Sequence, residues 1–304
     1  MPKEHKQLFA KLTNKIGDLI PFPASVNELI MITNNPNVSS REIAVVIEKD
    51  QAMTSRVLRL ANSASYGFAR RIKTISHAIV CLGFAKVKSL VLTVTTNEML
   101  GKALEKYSMQ EGALFKHSLA VAIGASVIAE VMKIKGREEF YIMGLLHDIG
   151  KLIINQNAET QMDDVWKIYQ RGGMKFYQAE QEALGFDHSD VGAEVARKWN
   201  FANDLCNVIG YHHSPFSTPG DYRNTCIVNM ADGIAKTIEL CQGMATQQKL
   251  SQEIDGIFSE KTLSTLGMTK AEVLKSREII VQRTTIVLQE FSDKSNEAVM
   301  SKAC

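Results

Sequence analysis

The feature that most constrains the fold is the helical spacing of apolar residues along almost the whole chain of 304 residues. Alternating apolar and polar residues, which are typical of strands, are scarce. Six prolines leave long uninterrupted helices possible. Two stretches rich in β-branched residues, IVCLGF (79–84) and KSLVLTVTT (88–96), favour strands by propensity alone, but their neighbours favour buried helices. The sequence therefore predicts an all-α protein.

Shifts in composition divide the chain into three parts. We predict an N-terminal helical lobe over residues 1–105, a histidine-rich core over 106–243 and a C-terminal helical extension over 244–304. A polar, glycine-bounded segment, GKALEKYSMQEG, marks the first seam, and the polar ATQQKLSQEIDG follows the second. Two amphipathic helices are expected near 258–266 and 270–291. The second of them could pair two chains as readily as cap the core, so a homo-oligomer is possible.

The charge balance excludes some classes of partner. The formal net charge is +2, from 35 Lys and Arg against 33 Asp and Glu, and the charges form no single-sign block. Neither a basic stripe nor interleaved aromatic residues indicate nucleic-acid binding.

The apolar runs look too short to span a membrane, and the amphipathic start lacks the pattern of a signal peptide. Five scattered cysteines without a CxxC motif suit free thiols, so we expect a cytoplasmic protein.

The stretch GLLHDIGKLI (144–153) carries the most chemistry. It places His147 beside Asp148, with Lys151 about one helical turn further on, among apolar residues. Burying such groups is unfavourable unless they are paired, hydrogen-bonded or bound to a metal. The stretch is therefore either an internal salt bridge or half of a metal site.

Further candidate ligands lie on other predicted helices. His117, His147 and His188 each have a glycine one or two turns away on the same helical face. Such a glycine lets a neighbouring backbone approach closely, which indicates that each imidazole points towards the interior. His212 and His213 end a helix before Pro215, and Asp232 precedes Lys236 by one turn. The candidate metal ligands are His117, His147, Asp148, His188, His212, His213 and Asp232.

Imidazoles combined with carboxylates suit one or two divalent transition metals such as iron, manganese, zinc or nickel. His147 and Asp148 can serve one ion, and the second oxygen of Asp148 can bridge to another. Two ions about 3.5–4 Å apart can clamp a phosphate and activate a water. Lys151 could then protonate a leaving group or hold a phosphoryl oxygen. Asp148 and Lys151 are thus the candidate catalytic residues.

Each candidate also has a purely structural interpretation. A single buried histidine is usually just hydrogen-bonded, and Asp232–Lys236 or Asp148–Lys151 could be surface ion pairs worth about 0.3–0.5 kcal/mol. His212 and His213 could simply suit the negative end of a helix dipole. Their conjunction favours a metal site, because five of the seven histidines fall within the predicted core, residues 106–243.

Two sets of motifs resemble a known family. His117, then His147-Asp148, and finally Asp232 in MADGIAK, look like the H…HD…D set of the HD superfamily of metal-dependent phosphohydrolases. HDIGK, HSDVG and YHHSP resemble the version found in HD-GYP cyclic-di-GMP phosphodiesterases, but SPFSTPGDYRN replaces the GYP signature. The segments IPFPASVNELI, IEKDQAMTSRVLRLANSASYG and IKTISHAIVCLGFAKVKSLVL look like the HDOD family, the output domain related to these hydrolases. This resemblance runs from about residue 19 to about residue 236.

The resemblance implies a bacterial signalling protein with an HD-type helical core and an N-terminal helical lobe. We expect a regulatory output module that binds a signalling protein or a small nucleotide ligand and retains a metal site. The alternative is an active metal-dependent phosphohydrolase or phosphodiesterase acting on a nucleotide or cyclic dinucleotide. An inert helical scaffold with a satisfied polar core is a third, weaker alternative.

Overall fold

The protein is all-α, as predicted. The computed structural model describes residues 3–14, 24–33, 38–63, 66, 68, 70–240 and 259–300, and it contains no strand within these ranges. The α-helices of these ranges are α1 (Lys3–Asn14), α2 (Ala24–Thr33), α3 (Ser40–Glu48), α4 (Gln51–Ala61), α5 (Ile75–Leu82), α6 (Phe84–Leu100), α7 (Ala113–Val131), α8 (Arg137–Leu146), α9 (Gly150–Asn157), α10 (Glu159–Gln170), α11 (Phe176–Leu184), α12 (His188–Lys198), α13 (Asn203–Tyr211), α14 (Arg223–Leu240), α15 (Glu260–Leu266) and α16 (Lys270–Met300).

Local sequence signals fix several of these helix starts. Ser39 caps α3 in a capping box: the backbone N–H of Glu42 donates to Ser39 Oγ over 3.2 Å, and the N–H of Ser39 donates to Glu42 Oε2 over 2.8 Å. Asp50 caps α4 with a single hydrogen bond, which its Oδ1 accepts from the N–H of Met53. The two β-branched stretches form α5 and α6, which confirms the helical interpretation.

Helix α6 joins the N-terminal helices to the rest of the protein. It packs against α4 and α5 on one side and against α8 on the other. The hydroxyls of Thr93 on α6 and Tyr141 on α8 hydrogen-bond over 2.8 Å, and Lys86 pairs with Glu138 over 3.2 Å. The helices before residue 100 therefore rest directly on the histidine-bearing helices.

The predicted first seam is a short ordered connection. A single 3-10 turn, Glu105–Tyr107, fills it, so the boundary at 105/106 falls inside this turn. The boundary at 243/244 and the ATQQKLSQEIDG segment lie outside the described residues, as do the IPFP motif and part of LANSASYG. The division into three parts stays a prediction.

Helix α7 lies at the centre of the core. Helices α8, α14 and α16 all pack against it. Gly144 on α8 makes the α7–α8 contact close, because a Cβ there would lie 2.7 Å from the carbonyl oxygen of Val121. On the other side, the rings of Phe115 and Phe291 meet edge to face at 5.1 Å, and Ile280 of α16 is fully buried. The C-terminal helix thus caps the core, while a homo-oligomer stays a prediction.

One helix departs from the expectation that no apolar run is long enough for a membrane. Within the described ranges, α7 is long and apolar enough to cross one by length and composition. However, 78% of its apolar window is buried inside the protein, and His117 lies on it. Burial at the centre of a helical core accounts for this composition.

Candidate metal centre

The His147-Asp148 pair lies in a tight turn between two helices. The sequence predicts Lys151 about one turn further along the same helix as His147, but α8 ends at Leu146 and Lys151 belongs to α9. Hydrogen bonds between residues three apart tighten this turn: the N–H of Ile149 donates to Leu146 O over 3.1 Å, and that of Lys151 donates to Asp148 O over 3.0 Å. The turn directs both side chains of the pair into the core.

Gly150, directly after this pair, allows α9 to touch α12. A Cβ at Gly150 would overlap the carbonyl oxygen of His188 and lie 2.6 Å from the backbone nitrogen of Gly192. This close approach brings His188, the first residue of α12, next to Asp148. Gly192, one turn after His188, also allows a close contact, because a Cβ there would lie 2.8 Å from Ile209 Cγ2.

One group of ligand atoms surrounds the Oδ2 side of Asp148. His147 Nε2 lies 3.4 Å and His117 Nε2 lies 3.6 Å from Asp148 Oδ2. Asp232 joins them from α14, with its Oδ1 3.1 Å from His117 Nε2. All four side chains are buried. These four residues form the first half of the candidate centre. They come from α7, from α14 and from the tight turn that contains His147 and Asp148, called the HD turn below.

A second group surrounds the Oδ1 side of Asp148. His188 Nε2 lies 3.1 Å and His212 Nε2 lies 3.8 Å from Asp148 Oδ1. His213 is half-buried, and its Nε2 lies 2.8 Å from His188 Nε2. In the described residues, the three histidines form one group with metal-ligand spacing, and His117, His147 and Asp148 form another. Asp148 therefore lies between two groups of imidazoles, as a bridging carboxylate must.

The tautomer of two imidazoles is set by backbone carbonyls. His147 Nδ1 donates to Gly144 O over 2.8 Å, and His212 Nδ1 donates to Ile209 O over 2.7 Å. Since a carbonyl oxygen only accepts, Nδ1 carries the hydrogen, and in the neutral ring Nε2 presents a lone pair. Neither Nε2 has a hydrogen-bond partner among the described residues. Buried lone pairs facing carboxylate oxygens fit a bound cation, so the donor set suits a metal.

A buried carboxylate that the sequence analysis missed holds His188. Glu180 on α11 is fully buried, and its Oε2 lies 2.5 Å from His188 Nδ1. Its Oε1 accepts a hydrogen bond from the hydroxyl of Tyr107 over 2.5 Å. Burial lowers the pKa of His188, but the charge of Glu180 together with the hydrogen bonds to Asp148 and Glu180 raises it to about 10. The available signal was the apolar spacing of Phe176, Glu180 and Leu184, which places Glu180 on the inner face of α11.

Two lysines pair with the carboxylates of the cluster. Lys151 Nζ lies 2.6 Å from Asp148 Oδ2, and Lys236 Nζ lies 2.6 Å from Asp232 Oδ2. These ion pairs exist as the structural interpretation supposed, but they are not surface pairs, because both carboxylates are buried. Burial raises the pKa of Asp148, yet His147 and Lys151 beside it lower that pKa well below its usual range. Asp148 is therefore ionised at neutral pH.

Exposure is limited to one edge of the cluster. Lys236 is about half exposed, Lys151 is mostly buried, and the ring of His213 stacks on Tyr177 with centroids 4.2 Å apart.

The clefts of about 570, 460 and 260 Å³ on the described residues are lined by none of the predicted ligands. All seven predicted ligands and Lys151 thus converge, although from different elements.

Comparison with known sequences identifies the family. The family model described as HDOD domain matches residues 19–215, well over half of the chain. An uncharacterised protein of Treponema pallidum (strain Nichols) is 24% identical over 272 residues. That match covers 86% of this chain and 51% of the relative, so the chain spans about half the length of this curated relative.

Solved structures share the fold over nearly the whole chain. An HDOD domain protein of unknown function from Geobacter sulfurreducens is 25% identical, with a TM-score of 0.75 and coverage of 94% of this chain and 97% of that one. A Shewanella amazonensis SB2B protein, provisionally named a phosphohydrolase, has a TM-score of 0.71 at 22% identity, covering 93% and 98%. A Marinobacter aquaeolei VT8 protein, provisionally named a signal transduction protein, has 0.67 at 17%, covering 94% and 64%.

Proposed function

The chain belongs to the HDOD domain family, and from that premise we propose that it is a regulatory protein of signal transduction with an occupied metal centre. The observation that carries the proposal is the position of Asp148, whose two carboxylate oxygens face two separate groups of buried imidazoles. Such a set of acceptors suits one or two divalent transition metals, with iron, manganese, zinc and nickel all compatible.

Each half of the cluster has its own proposed role. His117, His147, Asp148 and Asp232 would hold one ion; His188, His212 and His213 would hold the second, with Asp148 shared. A divalent metal bound there supplies a Lewis acid for a phosphoryl oxygen and lowers the pKa of a coordinated water. The carbonyl oxygens of Gly144 and Ile209 orient His147 and His212. The carboxylate of Glu180 orients His188.

Burial of the cluster favours regulation over turnover. A phosphoester would have to reach the buried ligands past the stacked rings of Tyr177 and His213 and the half-exposed Lys236. We propose that the protein acts by binding a signalling protein or a small nucleotide ligand. The metal would stabilise the helices that carry the histidine and aspartate ligands. A bacterial, cytoplasmic setting fits the family resemblance and the balanced charge.

A phosphohydrolase acting on a nucleotide or cyclic dinucleotide is the second candidate. It is favoured by Lys151, whose ammonium lies 2.6 Å from Asp148 Oδ2 and whose side chain is 15% exposed. In that reaction Lys151 would hold a phosphoryl oxygen or give a proton to the leaving oxygen. Asp148 would hold the His117–His147 group and the His188–His212–His213 group at a fixed distance from each other, because it lies between them.

Phosphodiester turnover separates the two candidates. Metal-reconstituted protein is assayed with bis(p-nitrophenyl) phosphate and cyclic di-GMP, beside Asp148→Ala and the exposed control Asp164→Ala. The regulatory proposal expects turnover far below about 1 per second for all three proteins. Turnover of about 1–10³ per second that survives in Asp164→Ala and disappears in Asp148→Ala would overturn it in favour of the hydrolase.

A further inference from the structure

A cleft of about 570 Å³ lies where three parts of the chain meet. Its walls come from α4 to α6 of the N-terminal helices, from α7 and α8 of the core, and from α16. Protein interiors are close-packed, and a void of this size falls in the range of about 300–1,000 Å³ typical of small-ligand sites. The cleft is therefore large enough for a small organic molecule.

The rim of the cleft carries cations that share too few carboxylates. Arg137 and Arg283 each place an Nη1 3.2 Å from the same oxygen, Glu130 Oε2. One carboxylate cannot satisfy the donors of two guanidinium groups, each of which carries five. With Lys86 and Glu138 included, three cationic side chains face two anionic ones. This excess of positive charge and of unused donors suits an anionic group.

Deeper in the cleft, the surface is aromatic and apolar. The ammonium of Lys86 lies 5.4 Å from the ring centroid of Tyr66 and 5.3 Å from that of Tyr141. Aliphatic side chains line the remaining wall, namely Leu60, Leu82, Leu90, Ile123, Ile286 and Val287. A planar apolar body would bury its faces against these groups, while its charged end reached the arginines.

Two helices connect this cleft to the metal centre. Helix α7 carries Ile123 in the cleft wall and His117 in the metal centre, and α8 carries Tyr141 in the wall and leads directly into His147. The members of each pair are six positions apart, which corresponds to about 9 Å along a helix. A ligand that shifted either helix would therefore move metal ligands.

We propose that this cleft is a regulatory site for a small organic anion with a planar aromatic body, and that its occupation changes the affinity of the metal centre. The inference rests on the proposed function, because it names the kind of small ligand that the regulatory protein would sense. Coupling of this kind is reciprocal, so metal binding must alter the affinity for the anion by the same factor.

The test uses 8-anilinonaphthalene-1-sulfonate, an aromatic anion whose fluorescence rises on binding, and uncharged N-phenyl-1-naphthylamine as its matched neutral probe. We expect one saturable sulfonate site per chain. The double variant Arg137→Gln/Arg283→Gln should weaken sulfonate binding at least about tenfold, because charge-assisted hydrogen bonds are lost, and should leave the neutral probe unchanged. Arg197→Gln is the control, since its exposed ion pair with Glu194 lies on α12 outside the cleft.

A second variant guards against loss of folding. Ser126→Trp fills the cleft from α7 without touching its charges and should abolish binding of both probes. The proposal is overturned if sulfonate binding is absent, or if the double variant binds it as tightly as Arg197→Gln does. It is also overturned if Ser126→Trp, folded by circular dichroism, binds both probes like the wild type.

The regulatory part is tested with Mn²⁺ alone as the metal probe. Saturating sulfonate should change the Mn²⁺ dissociation constant at least about fivefold in the wild type, and not in Ser126→Trp. An unchanged constant would overturn the coupling. Failure of the proposed function is distinguishable, because a chain that binds the sulfonate in the cleft but binds no metal would refute the metal centre and leave the anion site standing.

Discussion

Replacing Glu180 with Gln tests whether the buried carboxylate serves the metal centre. Glu180 accepts from His188 Nδ1 over 2.5 Å and from the hydroxyl of Tyr107 over 2.5 Å, so it fixes which nitrogen of His188 faces Asp148. Gln keeps the shape and removes the charge. Loss of one charge-assisted hydrogen bond is worth about 1.5–3 kcal/mol. This corresponds to about a 10–100-fold weaker metal affinity, the range found for partners of metal-bound histidines.

The assay is titration of chelator-stripped protein with Mn²⁺ against a competing chelator. We expect the loss to fall on the ion held by His188, His212 and His213, while an ion held by His117 and His147 keeps its affinity. Glu182→Gln is the matched control, because Glu182 lies on the same helix and is exposed. Equal Mn²⁺ affinities for Glu180→Gln, Glu182→Gln and the wild type would refute the reasoning.

Three further predictions concern packing and pH. Gly150→Ala should lower the unfolding free energy by about 1–3 kcal/mol or more, because its Cβ would overlap His188 O; Gly210→Ala, whose Cβ would meet Ala193 Cβ at 3.2 Å, should cost much less in the same urea titration. Metal-free protein should lose stability from about pH 6.5 towards pH 10, since the folded-state pKa of His188 is raised to about 10 and its charge stabilises the fold fully only below the unfolded value; flat urea midpoints over that range would contradict this. Ile280→Ala should cost about 2–5 kcal/mol, because the side chain is fully buried between α16 and the core; a shift below about 0.5 kcal/mol would show that α16 does not pack there.

Much of the fold follows from local pattern. Ser39 and Glu42, three residues apart, have the spacing of a capping box, and this box begins α3. The helical neighbours outweigh β-branched propensity over residues 88–96, because residues 89–96 are buried on a helix inside the protein. The inward direction of His117 and His188 also follows from their helical faces, which need only the 3.6-residue period.

The arrangement of the candidate site depends on packing that no single segment encodes. Tyr107 lies in a polar stretch that marks a seam by composition, yet it is buried against Glu180, 73 residues away in the chain. The break after Leu146 was missed because the apolar period continues through the HD turn, whereas the backbone tightens there. The cleft is likewise absent from any local pattern, since residues from three parts of the chain line it.

The most direct test of the central claim is the metal content per chain of protein purified anaerobically, beside Asp148→Ala and the exposed control Asp164→Ala. Elemental analysis should find one or two divalent transition-metal ions per chain in the wild type and in Asp164→Ala. Asp148→Ala should lose them, because both groups of imidazoles face its carboxylate. A wild-type chain that contains no metal and takes up none on reconstitution, or an Asp148→Ala chain that keeps the full content, would contradict the account.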